Sequence, residues 1–173
     1  PAFLMAPASL SQRLVRAKTK IKAAGITFDV DPPDSAARLS RALDAVYALY
    51  TIASAAPPSA AASARASDAL HLAALVAHLA PGDADAAGLT ALLALCEARV
   101  PAKRSADGAF VPLSRQDTSL WRPELLEMGE AYLNRAYTLR SPGPYQLEAA
   151  IQSAHCDRRR AGRADWSAIA TFC

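Results

Sequence analysis

The side chains that could perform acid–base, nucleophilic or metal chemistry are few in this sequence and poorly spaced for it. His71 and His78 stand seven residues apart, which on a helix is about two turns or roughly 10 Å, too far to share a metal without further ligands. His155 and Cys156 are adjacent, so on a helix their side chains diverge by about 100° and cannot form a nucleophile–base pair. The sequence therefore predicts no catalytic residue and no metal ligand.

The motifs of common enzyme classes are also absent from the sequence. It contains neither H-E-x-x-H nor a Cys-pair ligand set, and its seven glycines form no G-x-G-x-x-G or G-K-[ST] loop for phosphate. Cys96, Cys156 and Cys173 are an odd number of widely spaced cysteines, which predicts reduced thiols and no disulfide framework. We expect a protein that is not an enzyme and holds no cofactor.

Positive charge is concentrated at the start of the chain. Residues 1–28 hold no acid and five basic groups: Arg13, Arg16, Lys18, Lys20 and Lys22. The chain has 19 basic and 16 acidic residues, so 14 basic residues stand against 16 acidic ones after residue 28, a net charge of −2. A basic helix neutralises phosphates and releases counterions, which favours binding to nucleic acid. The simpler alternative is a solvated helix end whose cations favour the helix dipole.

The same segment has an amphipathic helical period. Its apolar residues recur at helical spacing and form a narrow stripe: Leu10, Leu14, Ala17, Ile21 and Ala24. The basic residues lie mostly off this stripe. Such a helix could dock on a small core with one face while its charged face meets a groove.

Several segments resemble parts of one protein family. The apolar lead-in A-F-L-M, a turn at Ala6-Pro7-Ala8 and then S-L-S-Q-R-L-V-R-A-K resemble the second half of a helix-turn-helix. In particular they resemble the recognition helix of region four in extracytoplasmic-function sigma factors of RNA polymerase. Three further segments are similar to the long helical C-terminal extension of one subgroup: K-I-K-A-A-G-I-T-F-D-V, A-D-G-A-F-V-P-L-S-R-Q-D-T-S-L-W and S-P-G-P-Y-Q-L-E-A-A-I-Q-S-A-H.

The resemblance implies a promoter-reading role for the first helix. Its DNA-binding residues would be Ser9, Ser11, Gln12, Arg13 and Arg16 on the groove-facing side, with Lys18 and Lys20 near phosphates. Arginine suits guanine edges because its fork matches O6 and N7, and lysine suits phosphate as a point charge. The implied partners are promoter DNA and the RNA polymerase core. The resemblance also implies a contact with N-terminal sigma regions that would precede Pro1.

The expected organisation follows from the same reading. Residues 1–28 would be the end of sigma region four, residues 29–36 a linker, and residues 37–173 an incomplete helical extension that regulates sigma activity. Gly25 suits the left-handed position that closes a helix, and Pro32-Pro33 cannot continue one. Asp34 or Ser35 would cap the next helix.

Composition predicts an all-α body after the linker. Hydrophobic residues reach 52%, with Ala prominent among them and aromatics only 6%, which favours close-packed helices over sheet. The predicted helices are 38–54, 68–79, 84–99, 123–139, 145–156 and a last one capped by Asp165. The Ala-, Pro- and Ser-rich stretch around Pro57-Pro58 is expected to be a loop. The helices would form antiparallel pairs in a bundle or an array resembling tetratricopeptide repeats.

Particular packing contacts are expected within this body. Tyr47 and Tyr50 should pack in it, since they share the apolar face of their helix. One helix pair would pack through leucines and a cysteine: Leu70, Leu75 and Leu79 against Leu89, Leu92, Leu93 and Cys96. Leu147 and Ile151 would point inward, and a long ordered loop at 100–122 would anchor Phe110, Leu113 and Trp121 and serve as a second candidate site.

The sequence also bounds where the protein works. No run of 18 or more apolar residues occurs, and the start lacks the pattern of a signal peptide. We therefore expect no membrane partner and a cytoplasmic location. An alternative to the sigma-factor hypothesis is a helical protein-binding scaffold with no DNA-reading role, in which helix faces or the loop at 100–122 bind the partner.

Overall fold

The computed structural model of the chain describes residues 7–25 and 32–157, and all regular structure in these ranges is helical. Their six α-helices are α1 (Pro7–Ala23), α2 (Pro32–Ala55), α3 (Ala60–Leu79), α4 (Ala84–Ala98), α5 (Pro123–Thr138) and α6 (Pro144–Cys156). The all-α prediction is confirmed. The helix predicted after Asp165 lies outside the described residues. Over the described ranges, no helix is long and apolar enough to cross a bilayer.

The chain divides into two compact units, Pro1–Ser40 and Arg41–Cys173. Helix α2 begins at Pro32 and runs through this division. The predicted cap at Asp34 or Ser35 is therefore wrong, because both residues lie within the helix. Proline suits a first helical turn, where its missing N–H would have had no partner. The domain boundaries derived from the sequence stay a prediction.

Helix α1 is continuous from Pro7 to Ala23. The turn predicted at Ala6-Pro7-Ala8 is wrong for its last two residues, which are helical; Ala6 lies outside the described residues. Gly25 closes the helix with φ +60°, and its N–H donates to the Lys22 carbonyl at 3.3 Å. This left-handed closure agrees with the prediction made for Gly25.

Helix α4 is the centre of the second unit. Every one of its residues is buried except Asp85 and Cys96, which are partly buried, and α3, α5 and α6 all pack against it. Its start is fixed by Asp83, whose carboxylate accepts a hydrogen bond from the Ala86 N–H at 2.7 Å. The short α3–α4 and α5–α6 connections make these pairs antiparallel. The second unit is therefore a bundle built around α4.

Helix α3 differs from its prediction in length and in packing. It begins at Ala60, after the Ser59 cap, so the expected loop shrinks to residues 56–59. Its buried face is made of alanines: Ala62, Ala66, Ala69, Ala73 and Ala77. The predicted contacts of Leu75 and Leu79 are wrong, since these side chains are 44% and 72% exposed, whereas Leu70 is partly buried. Small side chains allow a closer approach of two helices, which leaves the bulkier leucines outside. We call the five buried alanines the alanine seam.

Two glycines let the remaining helices approach α4. A Cβ on Gly88 would lie 2.6 Å from the Gln146 backbone nitrogen, and one on Gly129 would lie 2.6 Å from Leu95 Cγ. Helix α5 begins with Pro123 as predicted. On α6 the prediction for Leu147 is wrong, because this side chain is exposed.

The loop between α4 and α5 is ordered and carries three short 3₁₀ turns, Val100–Ala102, Leu113–Arg115 and Thr118–Leu120. Trp121 is 1% exposed and packs with Leu95, Ala102 and Cys156, with Leu113 and Leu126 partly buried beside them. Anchoring by Trp121 and Leu113 is thus confirmed. The prediction for Phe110 is wrong, because its side chain is 69% exposed.

Candidate functional site

The residues predicted to bind DNA all lie on α1, and their side chains are exposed. The helix contains no acidic residue, so no carboxylate of α1 itself competes for its cations. Lys20 and Lys22 occupy its last turn, where cations interact favourably with the helix dipole. The described part of α1 therefore presents a purely cationic set of charged groups to solvent.

The helical period gathers some of these residues on one side of α1. At 3.6 residues per turn, Ser9, Arg13, Arg16 and Lys20 fall within about 60° of one another around the axis. Gln12 lies at the edge of this sector. We call Arg13, Arg16 and Lys20 the cationic face. It spans about 10 Å along the helix, and Ser9 extends it by one further turn.

The same period separates the other two predicted residues from this face. Ser11 and Lys18 lie about half a turn away, next to Lys22. The expected single groove-facing side therefore cannot include Ser11 together with Arg13 and Arg16. The motif alone does not show this separation, because it gives the order of the residues along the chain and not their angles around the helix axis.

A third sector of α1 carries the predicted apolar stripe. Leu10 is partly buried, whereas Leu14 is 54% exposed and Ile21 is also exposed. The expectation that this stripe docks on a small core therefore finds no support among the described residues.

Three tyrosine hydroxyls donate hydrogen bonds to carboxylates in the second unit. They join α2 to α4 and α6 at 3.0, 3.2 and 2.7 Å: Tyr50 to Glu97, Tyr47 to Glu148 and Tyr145 to Asp44. The Tyr47 and Tyr145 rings also meet edge-on with centroids 5.3 Å apart. Burial is the largest cause that raises the pKa of all three tyrosines, so each hydroxyl stays protonated and donates.

These contacts confirm that Tyr47 and Tyr50 pack in the helical body. Sequence reasoning missed their partners, since Glu97 lies 47 residues from Tyr50 and Glu148 lies 101 residues from Tyr47. The available signal was two tyrosines on one apolar face, which predicts burial of the rings but does not say which carboxylate accepts from the hydroxyl.

Burial disfavours the charged forms of two described thiols and of a nearby histidine. Burial raises the pKa of Cys156 to about 12 and also raises the pKa of Cys96. Burial, and then the charge of Arg99, lowers the pKa of His155. Arg99 is itself buried and donates to the Leu95 carbonyl and to the Gln152 side chain. A protonated thiol is a poor nucleophile and a poor metal ligand.

Other candidates for chemistry are dispersed. Within residues 7–25 and 32–157, no group of three or more His, Cys, Asp or Glu side chains could hold a metal ion. His71 and His78 are exposed on α3. Glu124 and Glu127 are exposed on α5, and Glu130 accepts a hydrogen bond from the Ser153 hydroxyl at 2.6 Å. These carboxylates form no cluster.

The loop that was the second candidate site contains a small hairpin. Gly108, with φ +85°, closes a turn in which its N–H donates to the Ser105 carbonyl at 2.9 Å. Val111 N–H donates to the Lys103 carbonyl at 2.9 Å, and Arg104 pairs with Phe110 through an isolated bridge. We call residues 103–111 the hairpin. It exposes the side chains of Arg104 and Phe110.

Comparison with known proteins gives a family for this helical bundle. The chain belongs to DUF6596, a family of unknown function whose model matches residues 38–137. It is also similar to the uncharacterized protein R00370 of Rhizobium meliloti (strain 1021), with 36% identity over 171 residues. That match covers 97% of this chain and 40% of the relative, so the chain spans well under half of the relative's length. No solved structure matches the chain.

Proposed function

We propose that the chain is part of a transcription initiation factor of the extracytoplasmic-function sigma class, working in the cytoplasm with promoter DNA and the RNA polymerase core as its partners. Helix α1 reads promoter DNA, and the helical body within residues 37–173 regulates the activity of the factor. The observation that carries the proposal is the cationic face of α1. Its three cations project from one side of an acid-free helix into solvent.

The physical case for DNA rests on charge and geometry together. A helix fits the major groove of DNA, and arginine forks there can pair with guanine edges. Arg13 and Arg16 are one turn apart on the same side, so both can reach base edges in one groove, and Lys20 continues the row towards phosphates. The family match at residues 38–137 falls inside the segment that the sequence resemblance assigns to the regulatory extension.

The first experiment measures binding of the chain to a fluorescent duplex carrying the cognate upstream promoter element, at low and at moderate salt. Arg13→Ala and Arg16→Ala should each weaken specific binding by about 1–3 kcal/mol and reduce the preference over a scrambled duplex. Lys20→Ala should weaken binding to both duplexes equally and lower the salt slope by about one unit.

Helix α1 supplies its own control. Lys18→Ala and Lys22→Ala each remove one positive charge from the other side of the helix. They should therefore leave the preference for the promoter duplex over the scrambled duplex unchanged. If the Lys18 and Lys22 variants lose as much affinity for the promoter duplex as the Arg13 and Arg16 variants, the helix is attracted to phosphate without reading the sequence. If the chain binds both duplexes with the same affinity, and Arg13→Ala and Arg16→Ala do not change that affinity, α1 does not read promoter DNA.

The regulatory part of the proposal is tested separately in transcription. Deletion of residues 37–173 from the complete protein should change transcript yield from the cognate promoter with purified polymerase. Unchanged yield, with the truncated protein shown to be folded, would contradict a regulatory role for the bundle.

A helical protein-binding scaffold is the second candidate function. It is favoured by the leucines that α3 exposes outside the alanine seam, Leu72, Leu75 and Leu79, since clustered apolar side chains on a surface often mark protein contacts. In that case Leu72→Ser and Leu79→Ser should release a bound partner protein while DNA binding stays unchanged. Intact partner binding in both variants would contradict this function.

A further inference from the structure

A cleft of about 410 Å³ opens in the second unit between the end of α2, the first turns of α3 and the hairpin. This volume lies within the range of about 300–1,000 Å³ that small-molecule sites occupy. Its walls are largely apolar and include Ala62 and Ala66 of the alanine seam, Val100 and Phe110. The cleft is independent of α1 and of its proposed role.

A single carboxylate lines the cleft, and it is the most buried of the ionisable side chains there. Glu97 is only 9% exposed, lines the cleft, and accepts one hydrogen bond from Tyr50 at 3.0 Å. A carboxylate has about four acceptor sites, and a buried one is normally paired with a cation. Arg99, two residues further along the chain, is bonded to Leu95 and Gln152 instead. Glu97 therefore has acceptor capacity that the described part of the chain does not fill.

Two cations also line the cleft and are less buried than Glu97, and we call their side of the cleft the mouth. Lys103 and Arg104 line it at the start of the hairpin, and the hairpin fixes Arg104 through a hydrogen bond from its guanidinium to the Gly108 carbonyl at 3.0 Å. Lys103 is partly buried and Arg104 is exposed. A buried carboxylate, two less buried cations and largely apolar walls together form a dipolar site.

We propose that this cleft binds a small zwitterion with an apolar middle, its ammonium group inward on Glu97 and its carboxylate outward at Lys103 and Arg104. The Glu97 carboxylate accepts hydrogen bonds from the ammonium group, and charge assistance makes such bonds stronger than neutral ones. The alanines and Phe110 enclose the methylene chain. A ligand with only an ammonium group makes no contact with Lys103 and Arg104. A ligand with only a carboxylate is repelled by the Glu97 carboxylate.

The probe is 6-aminohexanoate, titrated calorimetrically into the 173-residue chain, with hexylamine and hexanoate as references that each lack one charge. We expect saturable binding of the zwitterion, with each reference weaker by about tenfold or more. No saturable binding at millimolar probe would overturn the proposal. Equal affinity for hexylamine would overturn it too, because the mouth would then contribute nothing.

Charge-removing variants locate each end of the probe. Glu97→Gln keeps an acceptor for Tyr50 and should weaken 6-aminohexanoate about tenfold. The Lys103→Gln/Arg104→Gln double variant should weaken 6-aminohexanoate while leaving hexylamine unchanged. Glu127→Gln and Arg115→Gln, which change exposed charges that do not line the cleft, serve as matched controls. Similar losses in these controls would contradict the assignment.

A second variant, which blocks the cleft sterically, tests the proposal even if Glu97→Gln does not fold. Ser63 lines the cleft from an exposed position on α3, so Ser63→Leu should fill the space without disturbing the core. We expect it to weaken 6-aminohexanoate about tenfold or more, with an unfolding transition like that of the parent chain. Unchanged affinity in Ser63→Leu would place the probe elsewhere and overturn the proposal.

Discussion

At Gly88 the backbones of α4 and α6 approach so closely that an added Cβ would lie 2.6 Å from the Gln146 nitrogen and 2.8 Å from its Cα. Both contacts are with backbone atoms, which cannot swing aside as a side chain can. Gly88→Ala should therefore lower the free energy of unfolding by about 1–3 kcal/mol, as overpacking of a core does. Urea unfolding followed by circular dichroism measures the change.

Gly82 is the matched control for this substitution. It lies in the α3–α4 connection, and a Cβ there would meet nothing within 4 Å. Gly82→Ala should leave stability unchanged or raise it slightly by restricting the unfolded chain. A loss in Gly82→Ala equal to that in Gly88→Ala would contradict the close approach of α4 and α6.

Cys156 makes stability depend on alkaline pH. Burial raises the pKa of its thiol from 9.0 to about 12, so between these values the unfolded chain releases a proton that the folded chain retains. The stabilisation by the buried neutral thiol is complete below about pH 9 and is lost as pH rises towards 12. Cys156→Ala should therefore show a shallower loss of stability with pH from 9 to 11, measured by urea unfolding. An identical slope in both proteins would contradict the shift.

At the scale of helices, α3 can be tested by comparing its two faces. Ala73 is fully buried in the alanine seam, so Ala73→Leu should destabilise the bundle by about 1–3 kcal/mol through overpacking. Leu75→Ala, on the exposed side, should change stability by no more than about 0.5 kcal/mol. Thermal unfolding of both variants makes the comparison. If Leu75→Ala lowers the free energy of unfolding more than Ala73→Leu does, the leucines pack in the core as the sequence predicted.

Helix α3 also marks the limit of prediction from the sequence. The starts of α4 and α5 were readable because Asp83 and Pro123 have defined roles at helix starts. The alanines that closely follow Pro57-Pro58 were predicted to be loop, because alanine is common both in solvent-exposed segments and in cores and gives little periodic contrast. The spacing of the leucines on α3 predicted that leucines would pack in the core. The helices approach so closely that the alanines are buried in their place.

The candidate site was predictable to a similar degree. The cations of α1 and their helical spacing can be read directly from the sequence, but their separation into two sides requires the helix to be projected. The cleft could not be predicted, because Glu97, Ala62 and Phe110 meet only through the tertiary fold. Phe110 was expected inside the body since apolar rings favour burial, whereas the hairpin turns it outward.

For the whole molecule, exposure predicts a wide spread of local stability. Nearly all of α4 is buried, whereas the described side chains of α1 are exposed apart from partly buried Leu10. An exposed helix of 17 residues is only marginally stable by itself. Amide hydrogen exchange followed by mass spectrometry should therefore show protection in α4 about a hundredfold or more above that in α1. Equal protection would contradict the exposure of α1.

The alanine seam also constrains how this family can change over evolutionary time. At Ala69, Ala73 and Ala77, which are fully buried and do not line the cleft, only glycine, alanine and serine are small enough for α3 to keep its distance from α4. Substitutions at these three positions should therefore be few in type. The neighbouring leucines on the outer face carry no such restriction unless a partner covers them. Aligned relatives should therefore vary freely at position 79 and hardly at all at position 73, and restricted variation at both would indicate a contact surface under selection.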